Sequence, residues 1–286
     1  MPSSDVNSAV TRIEMPGFDV VGIRANNPGP FTLSGTNSWI VGRDPAWLID
    51  PGPPLDEHLA ALSAEIEARG SLGAIVLTHR HADHSEAIPA ILERFHGTAV
   101  AAAEEDPVVV FGEPRATLDE RTVTRLSDGS RLGPLEAIAT PGHAPDHLAF
   151  ALGGDGAELV FTGDAVLGEG SVFITPYPGA LAAYLEALDR LRRRPIARLA
   201  PGHGPVVEDA AAKLGEYIQH RLERERRLIA ALEAGRRSVG ELLDDVWSDA
   251  PAALRPAAAT TLAAHLDKLA EEGRLPDGVE RPRLSP

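Results

Sequence analysis

No cysteine occurs in the 286-residue chain, which excludes disulfides and thiolate metal ligands and fits a cytosolic protein. Long apolar runs are missing as well. None approaches the roughly 20 residues needed to cross a bilayer, so no membrane partner is expected. The N-terminus, Met1-Pro2-Ser3-Ser4-Asp5-Val6-Asn7, lacks a basic region followed by an apolar core. A secretory signal is therefore not expected, and the cytoplasm is the expected compartment. Acidic residues outnumber basic ones, 42 Asp and Glu against 27 Lys and Arg, for a net charge of -15; Lys213 and Lys268 are the only lysines. That balance argues against a surface that binds nucleic acid over its whole extent, because neutralising phosphates takes clustered Lys and Arg. A local basic groove stays open.

What remains is an ordinary globular composition, 43% hydrophobic and 24% charged, long enough for one large domain with a small appendix. The chain is organised around Thr78-His79-Arg80-His81-Ala82-Asp83-His84-Ser85. Three of its ten histidines and a carboxylate fall between His79 and His84. They follow Leu72–Leu77, an apolar run with β-branched members that reads as a buried strand. Imidazole and carboxylate suit zinc, manganese or iron(II). If the backbone stays extended, His79 and His81 point the same way, Asp83 can follow, and His84 turns aside. One cluster can then feed two neighbouring metal positions.

The rest of the chain alternates strands and helices, the rhythm of a layered α/β domain. Residues 18–24, 36–42 and 46–50 read as strands, the last two a hairpin around Arg43-Asp44-Pro45. Apolar residues at 55, 59, 62 and 66 recur at helical spacing before Gly70. Ser85 is placed to N-cap a helix over 86–95 that Gly97 stops. Strands are predicted at 98–102, 122–126, 135–139, 147–152, 158–161 and 197–200, with a helix at about 180–193. Residues 1–10 read as a loose polar start, and residues 104–121 give no clear pattern. Three loops that begin where a strand ends each carry a donor: His143 in Thr140-Pro141-Gly142-His143, Asp164 in Thr162-Gly163-Asp164, and His203 in Pro201-Gly202-His203-Gly204. Their glycines and prolines let the backbone bend and approach closely.

His79-x-His81-x-Asp83-His84 matches the HxHxDH signature of the metallo-β-lactamase superfamily, which the chain resembles through most of residues 36–205. The resemblance implies an α/β (α+β) αββα sandwich with a metal site at one edge. Carried onto this sequence, it implies two divalent ions, zinc first and manganese or iron(II) as alternatives. His79, His81 and His143 would hold one ion, and Asp83, His84 and His203 the other. Asp164 would bridge them. Two cations roughly 3.5–4 Å apart can share a hydroxide and stabilise attacking and leaving oxygens. Asp83 is the expected catalytic residue, orienting that hydroxide and carrying a proton to the leaving group. Asp50 and His147 are candidates for support behind the ligands. His58 and His265 on predicted helices, and His96 beside a helix end, read as core or solvated residues.

Pro28–Asn37 and Gly163–Gly170 resemble the lactamase-beta-like protein 2 group, which carries a C-terminal winged-helix appendix. The C-terminus agrees. Residues 210–234 place Leu214, Tyr217, Ile218, Leu222, Leu228, Ile229 and Leu232 on one side of a helix, and 238–247 and 254–272 read as two more. The expected division is a catalytic domain over 1–212 and a winged-helix-like domain over 213–286. His220-Arg221-x-x-Arg224-x-Arg226-Arg227 and Arg190-x-Arg192-Arg193-Arg194 are two basic clusters, facing phosphates or paired with interleaved acids. The group resemblance implies a hydrolase that cleaves single-stranded RNA. The alternative is a thioester hydrolase of the glyoxalase II type acting on a small ester or thioester. A non-catalytic metal- or nucleic-acid-binding protein and a diiron oxygen-handling protein are the rivals from other classes.

Overall fold

A computed structural model describes residues 10–104, 110–111, 116–117, 123–153 and 156–283. The loose start, most of the irregular 104–121 segment and the last three residues lie outside these. In chain order the elements are β1 (Thr11–Glu14), β2 (Val20–Arg24), β3 (Asn37–Val41), β4 (Ala46–Ile49), α1 (Asp56–Ala68), β5 (Leu72–Val76), α2 (Ala82–Ser85), α3 (Ile88–Arg94) and β6 (Ala99–Ala103). The short pair β7 (Val110–Phe111) and β8 (Ala116–Thr117) precedes β9 (Val123–Leu126), β10 (Arg131–Leu132), β11 (Leu135–Ala139), β12 (Leu148–Gly153) and β13 (Glu158–Gly163). Then come α4 (Ala180–Arg192), β14 (Ile196–Pro201), α5 (Ala210–Glu233), α6 (Val239–Val246) and α7 (Arg255–Glu271).

Beside the two-stranded β7-β8 pair, two larger sheets form, ordered β1-β2-β3-β4-β5-β6-β9 and β10-β11-β12-β13-β14. Period-two alternation sends neighbouring side chains to opposite faces. Trp39 and Val41 point between the sheets and Ile40 points out; Leu159 and Phe161 point in and Val160 out. The inner faces meet through Trp39, Ile49, Val76, Phe150 and Phe161. Leu62 and Ile66 of α1 and Ile88 and Ile91 of α3 cover the outside of the larger sheet. Leu181, Tyr184 and Leu188 of α4, with Leu214 and Tyr217 of α5, cover the smaller one. The result is four layers, αββα. Among the described residues no helix is long and apolar enough to cross a membrane.

Helix α5 is shared. Its first half belongs to the outer layer, and its second half packs Leu228 and Leu232 against Leu242, Val246, Leu262 and Leu266 of the C-terminal helices. Two expectations are corrected along the chain. Ser85 does not cap a helix at 86: its hydroxyl donates to the carbonyls of Arg80 and His81 at 3.2 and 3.0 Å, closing the turn α2. Helix α3 starts only at Ile88, with Pro89 in its first turn, where a missing N–H costs nothing. On α5, Leu222 is exposed, not inward. The buried line runs Leu214, Tyr217, Arg221, Arg224, Leu228, Ala231, so two arginines occupy positions that apolar residues would normally fill. β1 was not foreseen, since Thr-Arg-Ile-Glu at an exposed sheet edge carries almost no apolar pattern.

Candidate metal centre

The donors come together at one edge of the sandwich because the strands of both sheets stop there. Leu77 and Thr78 follow β5, and Leu148 N–H donates to the Thr78 carbonyl at 2.7 Å, tying the sheets end to end. Asn37 N–H donates to Gly202 O at 2.7 Å, and Gly202 N–H to Gly163 O at 2.9 Å, which brings the loops of Asp164 and His203 side by side. Gly202 is required by that approach. A Cβ there would stand 2.7 Å from His84 Cε1 and 2.8 Å from Asp164 Oδ1.

Two groups of nitrogen and oxygen atoms result. His79 Nε2 and His143 Nε2 each lie 2.9 Å from His81 Nδ1. His203 Nε2 lies 3.2 Å from Asp83 Oδ2 and 3.3 Å from His84 Nε2, with His84 Nε2 3.5 Å from Asp83 Oδ2. Asp164 stands between the groups. Its Oδ1 is 3.4 and 3.5 Å from the Nε2 atoms of His203 and His84, and its Oδ2 is 3.6 Å from His143 Nε2.

Hydrogen bonds behind the rings fix which nitrogen keeps its proton. His143 Nδ1 donates to Phe173 O at 3.2 Å, and His203 Nδ1 to Gly35 O at 3.4 Å. His84 Nδ1 donates to Asp50 Oδ2 at 2.9 Å. Thr78 Oγ1 gives its proton to Asp50 Oδ2 at 2.7 Å, so it accepts from His79 Nδ1 at 3.0 Å. The Nε2 atoms of His79 and His143 therefore turn lone pairs into the centre, and those of His84 and His203 do so once their second proton is lost. Lone pairs 2.9 Å apart repel unless a cation or a proton sits between them. Asp164 Oδ1 is buried with no hydrogen-bond donor, a state buried carboxylates rarely keep without a counter-ion. Imidazoles and carboxylates without sulfur fit a divalent cation of the zinc, manganese or iron(II) kind.

The two groups differ in charge. Burial, then neighbouring histidines, hold His79 well below its ordinary pKa and bring His81 down to about 4; burial also lowers His143. These three are neutral. In the other group burial opposes charge but is outweighed. Asp83, Asp164 and Asp50 raise His84 well above its ordinary value, and Asp164 and Asp83 raise His203 to about 9. Asp83 is brought down to about 2, burial again overcome by His84 and His203, and Asp164 lies well below the carboxylate range for the same reason.

The structure thus brings together all seven residues the sequence analysis picked as ligands, and places Asp50 and His147 behind them. Asp50 also accepts Thr78 N–H at 2.8 Å. Its φ of +50° is a conformation that costs a non-glycine residue roughly 1 kcal/mol or more, held here by three hydrogen bonds. His147 Nε2 accepts from Asp164 N–H at 3.0 Å, and its ring stacks on His79 with centroids 4.9 Å apart. His58 is core, between Ser38 Oγ and Pro51 O, and His265 is buried too, while His96 is exposed. Thr78, Thr36, Asp146 and Phe173 were missed. Thr36 Oγ1 donates to Asp83 Oδ2 at 3.3 Å, and Asp146 Oδ2 accepts Arg80 N–H at 3.0 Å. Their roles come from three-dimensional neighbours, and only Thr78 carries a local hint, its position beside His79.

The chain belongs to the metallo-beta-lactamase superfamily, which it matches over residues 31–203, and residues 238–277 match the beta-lactamase associated winged helix domain. Members of this superfamily are metal-dependent hydrolases, and the chain is a hydrolase of that class. It is 32% identical over 280 residues to a beta-lactamase-like protein 2 homolog of Caenorhabditis elegans, covering 95% of this chain and 88% of the relative. An atrochrysone carboxyl ACP thioesterase of Aspergillus chevalieri is 34% identical over 225 residues, 76% of this chain and 67% of that one. Among solved structures, a metallo-beta-lactamase family protein from Thermus thermophilus superposes with a TM-score of 0.70 at 25% identity, covering 91% of this chain and 95% of the other.

Proposed function

We propose that the chain hydrolyses a small acyl thioester at a dinuclear centre. In this reading His79, His81 and His143 hold one cation, Asp83, His84 and His203 the other, and Asp164 gives one oxygen to each; zinc is the expected metal. The observation that carries the substrate class is a cavity of about 520 Å³ that opens from Asp164 and runs between the sandwich and the C-terminal helices. Phe31, Leu33, Val172, Phe173, Trp247 and Leu254 give it an apolar wall, suited to an acyl chain and not to a row of phosphates.

Divalent cations bound here would polarise the carbonyl and lower the pKa of water. Asp83 is the part of the chain that meets the attacking water. Its carboxylate is 32% exposed, far more open than the neighbouring ligand side chains, and Thr36 steadies it. A carboxyl brought down to about 2 is ionised near neutral pH, so it orients a water by accepting its hydrogen bond but holds no proton to hand on. A thiolate, with a thiol pKa of about 8.5, leaves without one; an alkoxide does not.

Single-stranded RNA finds less support. Arg190 pairs with Asp128, Arg192 and Arg193 with Asp189, and Arg194 with Glu136 and Glu158. On α5, Arg226 and Arg227 pair with Glu223, and Arg224 with Asp249. Apart from the buried Arg221, the arginines of both clusters are paired with acids and form no surface phosphate track. Metal-loaded protein offered an acyl-glutathione and a fluorogenic RNA oligomer in parallel is expected to cleave the thioester. Cleavage of RNA alone, lost in Asp83→Ala, would reverse the assignment. A related expectation concerns Asp50. Asp50→Ala frees the His84 ring and should weaken the second cation's binding roughly 10–100-fold, read by equilibrium dialysis, while the first site, whose His79 Asp50 reaches only through Thr78, should lose less.

A further inference from the structure

The inward-facing arginines of α5 are not equivalent. Arg224 is neutralised: Asp249 accepts from Nη1 and Nη2 at 2.7 and 2.8 Å, and the guanidinium lies over Trp247. Arg221 is 2% exposed and has no carboxylate partner among the described residues. One of its Nη2 hydrogens reaches Val172 O, and its guanidinium lies 5.7 Å from the Tyr184 ring centre. Its Nε–H has no acceptor.

The preceding residue repeats the pattern. Arg224 Nε donates to His220 Nε2 at 3.2 Å, so the neutral ring carries its proton on Nδ1, and that atom too is buried without a partner. Burial, then Arg221 and Arg224, keeps His220 at about 4, hence uncharged. Both residues line the cavity that begins at Asp164. Of the acids along the same cavity, Glu169 and Glu216 are exposed, Asp249 is tied to Arg224, and Asp164 lies among His84, His143 and His203. A buried cation with a vacant donor, beside a second vacant donor, is costly for the chain alone. An anionic occupant removes that cost.

We propose that Arg221, together with His220, anchors an oxyanion of the substrate, a carboxylate or a phosphate separated by an apolar stretch from the bond that is cut. The anchor is a specificity residue and rests on the thioester reading for its substrate. The oxyanion can sit on the acyl side or on the thiol side, and three substrates separate these: butyryl-pantetheine, which is uncharged; succinyl-pantetheine, with an acyl carboxylate; and butyryl-4′-phosphopantetheine, with a thiol-side phosphate.

Metal-loaded wild type should prefer one of the charged thioesters over the uncharged one by roughly tenfold to a hundredfold in kcat/KM, chiefly through KM. In Arg221→Met that ratio should fall toward one at unchanged metal content. His220→Phe, which keeps the charge and removes one donor, should lower it severalfold and serves if the methionine variant does not fold. A wild-type ratio near one for both charged substrates overturns the anchor, as does a ratio that survives in both variants. Binding gives an independent readout. Glutarate or phenyl phosphate should raise the melting temperature of metal-loaded wild type more than that of the variants, and equal shifts would also overturn it. If wild type cleaves no thioester, the thioester reading fails while the melting shifts still decide the anchor.

Discussion

Asp83→Ala should lower kcat/KM for thioester hydrolysis by roughly 10²–10⁴-fold and leave the fold intact. The side chain sits on the one-turn helix α2 and is partly open to solvent, so its removal creates no core cavity. Three contacts are lost at once: Thr36 Oγ1 at 3.3 Å, His203 Nε2 at 3.2 Å and His84 Nε2 at 3.5 Å. With them goes the negative charge that helps hold a cation and orients the attacking water. Asp83→Asn separates the parts. It keeps the shape and one acceptor oxygen but not the charge, and should retain more metal than the alanine variant while remaining slow. Rates and metal content measured on the same preparations check this. Activity within about threefold of wild type in the alanine variant would remove Asp83 from the reaction.

The second large effect is on metal affinity as a function of pH. Without metal, His203 is raised to about 9 and His84 stands well above its ordinary value, so both carry a proton at neutral pH. A protonated imidazole has no lone pair to give. Binding the second cation must expel both protons, and its affinity should rise with pH, by up to about a hundredfold per unit near neutrality. The first group behaves oppositely: His81 is at about 4 and His79 and His143 are lowered, so that site fills near pH 7 without releasing imidazole protons. Calorimetric titration with zinc in buffers of different ionisation enthalpy reads the difference. About two protons should leave with the second equivalent and fewer with the first. Equal release at both steps would mean that the acidic residues do not charge the second group as described.

The layers and the centre differ in how far they were legible. Strands such as 135–139, and 72–77 to within one residue, could be bounded from sequence because their apolar residues face two packed layers. His79, His81, Asp83 and His84 could be picked from their clustering after a strand and from the HxHxDH resemblance, and His143, Asp164 and His203 because each lies in a short loop after a strand where glycine or proline marks a sharp turn. Of the supports only Asp50 and His147 could be named from sequence; Thr78, Thr36 and Asp146 could not. Thr78 matters because Asp50 and His79 lie on either side of it in space, and Asp50 comes from a hairpin 28 positions earlier. The basic run on α5 misled because arginine was read as surface. The spacing 214, 217, 221, 224, 228 already placed Arg221 and Arg224 inward, and an arginine on an apolar line is the feature that could have marked the cavity. Ser85 misled for a related reason: a good capping residue was claimed by the turn that shapes the histidine cluster.

Metal stoichiometry tests the account most directly. The chain, stripped, supplied with excess zinc and freed of loose ions, should carry two equivalents by elemental analysis, falling to one or fewer in Asp164→Ala. A folded chain that retains no zinc, or two equivalents undisturbed by losing Asp164, would contradict it.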